Sequence, residues 1–195
     1  MPGLDMDAPP RVDWLPASDL ADGRAGRIGM TVLPGKHGPS MRYPGRVYRA
    51  DLDADLAALR EAGVTRLVLL IADEELVRWG DAGLVRRAAA FDIVVDRYPL
   101  ADGCPPGSVT EMDAILMSIS EARTAADAAV ACMGGVGRTG TVVACALVAA
   151  GWQAEAAIAR VREVRHPMAV ETRAQEQFVR TYSRERRARA ATVSS

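Results

Sequence analysis

Lysine is almost absent from this chain of 195 residues: of its 24 cationic side chains only Lys36 is a lysine, and the others are arginine. Aromatic residues make up 5%, histidine occurs twice (His37, His166), and the three cysteines are Cys104, Cys132 and Cys145. Each scarcity excludes something. An odd, sparse set of cysteines cannot be a disulfide framework and suits a reducing compartment, so a cytoplasmic protein is expected. No Cys/His spacing resembles a metal site, so neither a metal nor another cofactor is expected. The longest apolar run, Val142 to Ala150, is far short of the ~20 residues needed to cross a bilayer, so no membrane span is expected. Met1 to Pro10 is acidic and proline-rich, without a basic start or an apolar stretch, and no secretory signal is expected. A net charge of −1 excludes a generally basic nucleic-acid coat. What is present, 49% hydrophobic and 25% charged residues, is ordinary for one folded domain that buries its own core.

The charge is uneven. Arg160 to Arg189 carries nine arginines and four glutamates, a net +5, which leaves −6 on the rest of the chain. This reads as a solvated helix with arginine and glutamate on its wet face, or as a surface for an anionic partner.

Residues 1–25 read as a loose N-terminal segment, 26–187 as the folded domain and 188–195 as a C-terminal tail. Strand character runs from Arg27 to Leu33, in a short Val47–Arg49 piece, from Arg66 to Ile71, from Asp92 to Arg97 and from Ala128 to Cys132. Helices are expected over Asp51–Ala62, Asp81–Phe91 (after a shorter one), Ser108–Arg123, Thr141–Ala150, Ala154–Arg165 and Thr172 to about Arg187. Gly35–Gly45 and residues 98–107 read as loops. Alternation of this kind predicts an α/β fold: a single domain whose mostly parallel sheet of four to five strands is flanked by helices on both faces. In such folds ligands sit beyond the C-terminal ends of the strands, which is where the glycine-rich stretch Gly134–Gly140 lies.

That stretch carries the chemistry. Cys132 ends a strand, and Met133, Gly134, Gly135, Val136 and Gly137 lead to Arg138 and Thr139 at the mouth of an apolar helix. Glycines let successive N–H groups turn inward as an anion nest, and the helix adds its positive end. Arg138 can grip two phosphate oxygens at once. The same dipoles favour a Cys132 thiolate, poised for in-line attack on a bound phosphoryl group. Three competing readings are weaker. A buried structural cysteine leaves the glycines and Arg138 unexplained. A nucleotide P-loop needs a Gly-Lys pair that is missing here. A dinucleotide fingerprint, Gly135-x-Gly137-x-x-Gly140 with Glu155 roughly 20 residues on, requires a further strand where the sequence reads helical, and leaves Cys132 idle.

The Cys132–Gly135–Arg138–Thr139 spacing resembles the active-site pattern of the cysteine-dependent protein tyrosine phosphatases. The Leu33-Pro34-Gly35, Glu61-Ala62-Gly63-Val64 and Tyr98-Pro99-Leu100-Ala101-Asp102-Gly103 segments extend the likeness to the kinase-associated branch of the dual-specificity phosphatases, over residues 27–185. The resemblance implies a protein tyrosine phosphatase-like fold and a phosphatase without cofactors. Cys132 would be the nucleophile, Arg138 the phosphoryl and transition-state ligand, and Thr139 the hydroxyl beside the sulfur. The N–H groups of Met133 through Arg138 would form the cradle. Asp102, in a loop after a strand, takes the family's general-acid position, with Asp96 and Asp113 as weaker rivals. Gln175, with Glu171 beside it, falls where a water-positioning side chain is expected, and equally reads as a surface residue.

One departure matters: the family's histidine directly before the cysteine is Ala131 here. Alanine neither donates a hydrogen bond nor carries charge. Two readings follow, a slow but competent enzyme or a phosphate-binding adaptor. The neutral side chains of Met133 and Val136 favour a singly phosphorylated substrate, hence a phosphorylated protein at Tyr and/or Ser/Thr. Nucleic acid is not expected, although the +5 segment keeps a phosphoinositide or an RNA 5′-phosphate as the alternative. Cys104 is a candidate redox partner of Cys132, and Cys145 reads as core. Nothing in the sequence sets the oligomeric state.

Overall fold

The computed structural model describes residues 9–20, 22–40 and 43–193. The strands among them are β1 (Asp13–Trp14), β2 (Ile28–Val32), β3 (His37–Pro39), β4 (Val47–Arg49), β5 (Val64–Ile71), β6 (Val94–Leu100) and β7 (Asp127–Cys132). The α-helices are α1 (Leu52–Glu61), α2 (Asp73–Trp79), α3 (Leu84–Ala89), α4 (Val109–Ala122), α5 (Gly137–Ala149), α6 (Ala154–Val164) and α7 (Arg173–Val193).

Five strands form the central sheet in the order β1-β2-β7-β5-β6, parallel except for β1, which pairs antiparallel with β2. Helices cover both faces, as the alternation of strands and helices predicts. The pleat of β7 divides its side chains between them. Ala128, Val130 and Cys132 join the core beneath α4 to α7, whereas Ala129 and Ala131 join the core beneath α1 to α3. β5 is apolar on both faces in the same way: Val68 and Leu70 face one core, Leu67, Leu69 and Ile71 the other. α5 is buried along nearly its whole length, which its apolar composition requires.

Several expectations are corrected. Residues 9–20 are not loose: Asp13 and Trp14 pair with Met30 and Gly29, and Leu15 and Leu20 enter the core. Residues 1–8 lie outside the described residues. The expected tail does not begin at 188, because α7 continues to Val193, with Arg189 paired to Asp113. The loop expected over 35–45 includes β3, which pairs with β4 in a small separate sheet. β6 runs on to Leu100 through Pro99, which an edge strand tolerates because one side of its backbone is unpaired. Helix α5 starts at Gly137, so Arg138, Thr139 and Gly140 stand in its first turn; Gly140 N–H already donates to Val136 O at 3.1 Å.

Among the described residues no helix is long and apolar enough to cross a membrane. The arginines of the +5 segment are largely engaged within the fold: Arg160 with Asp19 and Glu163, Arg162 with Glu176, Arg180 with Glu155 and Glu176.

Candidate active site

A cleft of about 750 Å³ opens above the C-terminal ends of β2 and β7. Cys132 lies at its base, 3% exposed, where β7 ends and the loop to α5 begins. The loop is tightly packed: Gly135 has φ +63, and a Cβ there would stand 2.2 Å from Thr31 O, so only glycine fits. Burial pushes the Cys132 thiol up. Against this, the charge of Arg138, the Thr139 hydroxyl and the backbone N–H groups of Thr139 and Val136 favour the thiolate, and the net direction is down. Thr139 is fully buried, and its Oγ1 has no partner of ordinary hydrogen-bond geometry among the described residues. It is therefore available to the sulfur.

Arg138 is 2% exposed and held by three groups. Glu75 on α2 accepts from Nη1 at 2.5 Å and from Nη2 at 2.9 Å, Leu100 O accepts from Nη1 at 3.0 Å, and Asp102 Oδ1 accepts from Nη2 at 2.9 Å. Glu75 is in turn fixed by α2, where its Oε2 also accepts the Ala72 N–H at the helix start. Asp102 itself is exposed in the loop after β6, with its backbone neighbour Gly103 tied to Thr172 Oγ1.

The structure therefore brings Cys132, Arg138 and Asp102 to one cleft, with Met133, Gly134, Val136 and Gly137 along its floor, while Thr139 is fully buried and does not line the cleft, reaching the site through the Cys132 sulfur. It separates the rival acids from it. Asp96 accepts from Arg66 and Ser118, and Asp113 from Tyr182 and Arg189. Gln175 is not a surface residue: it is fully buried, its Oε1 accepts the N–H groups of Glu171 and Thr172, and its Nε2 has no partner among the described residues. A Cβ on Gly137 would meet Gln175 Nε2 at 3.1 Å and Glu171 Oε2 at 2.9 Å, so both side chains stand over the loop. The turn leading to them passes through Val170 at φ +58, a rare backbone state for a β-branched residue. Arg162 holds it there by donating to Ala169 O at 3.0 Å and Val170 O at 3.3 Å.

Four residues of the site escaped the sequence reading. Glu75 carries no local motif linking it to Arg138. Arg165, at the end of α6, donates to Gly135 O at 2.9 Å and Gly134 O at 3.2 Å. Asp55 on α1 is buried in the cleft wall and accepts the Gly35 N–H at 2.8 Å. His166 also lines the cleft, although nothing near it in the sequence indicated this. Cys104 is exposed, and it is Asp102 and Gly103 of its loop that face the cleft. Cys145 lies in the core, where burial pushes its thiol well up and leaves it inert, as expected of it.

A sequence model described as the DSP-PTPase phosphatase domain of Swiss Army Knife proteins matches residues 45–189. The chain belongs to this DSP-PTPase family. Rat cyclin-dependent kinase inhibitor 3 is 26% identical to it over 176 residues, 88% of this chain and 77% of the rat protein. The crystal structure of kinase-associated phosphatase, with serine in place of its catalytic cysteine, superposes with a TM-score of 0.79 at 21% identity, covering 91% of this chain and 96% of that one. PTPMT1 in complex with PI(5)P superposes with a TM-score of 0.65 at 17% identity, covering 84% and 94%. These matches bear out the dual-specificity, kinase-associated-phosphatase likeness of the DSP-PTPase domain and its α/β fold.

Proposed function

We propose that this protein hydrolyses phosphomonoesters on phosphorylated proteins, at phosphotyrosine and/or phosphoserine/threonine, through a phosphocysteine intermediate. The observation that carries the reading is the pairing of a buried, thiolate-favouring Cys132 with an inward-facing Arg138 at the base of one cleft.

In the proposed first step the phosphate dianion enters the cradle of N–H groups from Met133 to Arg138, and takes the Arg138 donor now held by Asp102. Asp102, released from Arg138, takes up a proton from solvent; the Cys132 thiolate attacks phosphorus, the P–O bond to the substrate breaks, and Asp102 gives that proton to the departing oxygen. Arg138 and the helix dipole of α5 hold the equatorial oxygens as charge shifts through the transition state. In the second step a water attacks the phosphocysteine. Its proton passes to the Asp102 carboxylate, the S–P bond breaks, inorganic phosphate leaves and the thiolate returns, eased by the Thr139 hydroxyl. The unpartnered Gln175 Nε2 is suited to holding that water.

Aromatic walls support an aryl ester first: Tyr43, Tyr48 and Trp79 line the cleft above Cys132. The alternative, a phosphoinositide or RNA 5′-phosphate, keeps only part of the support the basic segment lent it: Arg165 lines this cleft, held by Asp13 and the Gly134 and Gly135 carbonyls, whereas Arg180, Arg184 and Arg187 of α7 line a separate depression. Rates on phosphotyrosine peptide, phosphothreonine peptide, phosphoinositide and RNA 5′-triphosphate test the reading. A peptide is expected to be the fastest. Far faster turnover of a non-peptide substrate overturns the protein assignment.

A further inference from the structure

We propose that the N-terminal strand β1 belongs to the catalytic machinery: Asp13 is a positioning residue that holds Arg165 against the carbonyls of Gly134 and Gly135 and so sets the phosphate loop. The inference rests on the phosphatase reading above and adds a residue from outside the region matched by the family, which starts at residue 45.

The Arg165 guanidinium is 9% exposed and engaged on every side. Nε donates to Gly135 O at 2.9 Å, Nη2 to Gly134 O at 3.2 Å and Nη1 to Asp13 Oδ2 at 2.6 Å. In a trans peptide the carbonyl of one residue and the N–H of the next point in opposite directions. Drawing the Gly134 and Gly135 carbonyls toward Arg165 therefore turns the N–H groups of Gly135 and Val136 the other way. The Val136 N–H is one of the donors to the Cys132 sulfur. A continuous run of contacts thus leads from Asp13 through Arg165 and one peptide plane to the proposed nucleophile.

Asp13 is needed because Arg165 also lines the cleft. A guanidinium held only by two carbonyls can swing toward a bound anion. The Asp13 carboxylate fixes its far nitrogen and balances its charge. Asp13 is itself steadied, since Arg11 Nε lies 2.8 Å from its Oδ1. The same strand meets β2 next to the loop, where Thr31 Oγ1 donates to Arg11 O at 3.1 Å. Bracing from Arg165 matters more in this chain because Ala131, directly before Cys132, has no polar group with which to hold the loop.

The test uses the full chain as wild type, Asp13→Asn, Asp13→Glu, Arg165→Gln and the double variant Asp13→Asn/Arg165→Gln. Three quantities are read: thermal midpoint, the pH midpoint of Cys132 thiolate absorbance, and kcat/KM on an aryl phosphate. Asp13→Asn is expected to lower kcat/KM by about 10-fold or more and to raise the thiolate midpoint, Asp13→Glu to restore part of both, and the double variant to be no worse than Arg165→Gln. An Asp13→Asn protein that loses only thermal stability, or losses that add in the double variant, overturns the proposal. If the wild type hydrolyses nothing, the phosphatase reading falls while the thiolate midpoint still decides this one: a shift supports it and no shift overturns it. Should Asp13→Asn fail to fold, Arg165→Lys carries the same test, because an ammonium cannot bridge both carbonyls and Asp13; an unchanged midpoint overturns the proposal.

Discussion

Glu75 meets Arg138 with both carboxylate oxygens, 2.5 and 2.9 Å from the two η nitrogens, although 63 residues separate them. The pair uses one N–H on each η nitrogen and leaves Nε aimed away from Glu75, so it fixes the plane of the guanidinium without consuming all its donors. Glu75→Gln retains the shape and loses the charge. It should lower kcat/KM on an aryl phosphate by about 10-fold or more, with little change in far-UV circular dichroism. Wild-type kinetics in this variant would remove Glu75 from the site.

The Cys132 thiol is expected to ionise below the free-cysteine value of about 8.5, despite its burial and despite Ala131. Thr139→Val preserves volume and removes the hydroxyl that favours the thiolate. Its thiolate midpoint, followed by absorbance against pH, should move up. A wild-type midpoint at or above the free value would favour a phosphate-binding adaptor over an enzyme.

Asp55 has a distinct pH consequence. Burial in the cleft wall raises its carboxyl from 3.8 to about 6, with the Gly35 N–H pulling the other way and Asp51 adding to the rise. An acid with a raised folded-state pKa is stabilising to the fold only while protonated. Stability from this group is full below about 3.8, falls as pH rises toward about 6, and stays lost above that. Asp55→Asn keeps an acceptor for Gly35 and removes the buried charge. It should raise the thermal midpoint at pH ~7.5 by an amount worth up to about 3 kcal/mol, with the gain vanishing below about pH 4. An equal gain at both pH values, or none at either, contradicts this assignment.

Much of the site was legible because its chemistry is concentrated in one stretch. Cys132, Arg138 and Thr139 sit within eight residues, and their spacing specifies a strand, a nest and a helix start. Asp102 was legible from its place in a loop after a strand. Glu75, Arg165, Asp55 and Asp13 were not, because each reaches the site by tertiary folding: opposite charges far apart in sequence carry no sign of which will pair. The edge strand β1 was missed for a related reason. Two residues of strand with an arginine- and proline-rich approach have no periodicity to detect, and only the open edge of β2 gives them a partner. Ala131 reads differently once placed. It is fully buried and belongs to the same core as Leu33, Leu56 and Leu69 beneath α1 to α3, so any side chain at this position is placed in apolar surroundings. The small residue is thus part of how this sheet packs its helices.

The central claim is that Cys132 is the nucleophile of a phosphomonoesterase. Hydrolysis of an aryl phosphate at neutral pH by the wild type and by Cys132→Ser tests it most directly. Measurable turnover by the wild type that the serine variant abolishes is the predicted result; equal residual rates for the two proteins would contradict it.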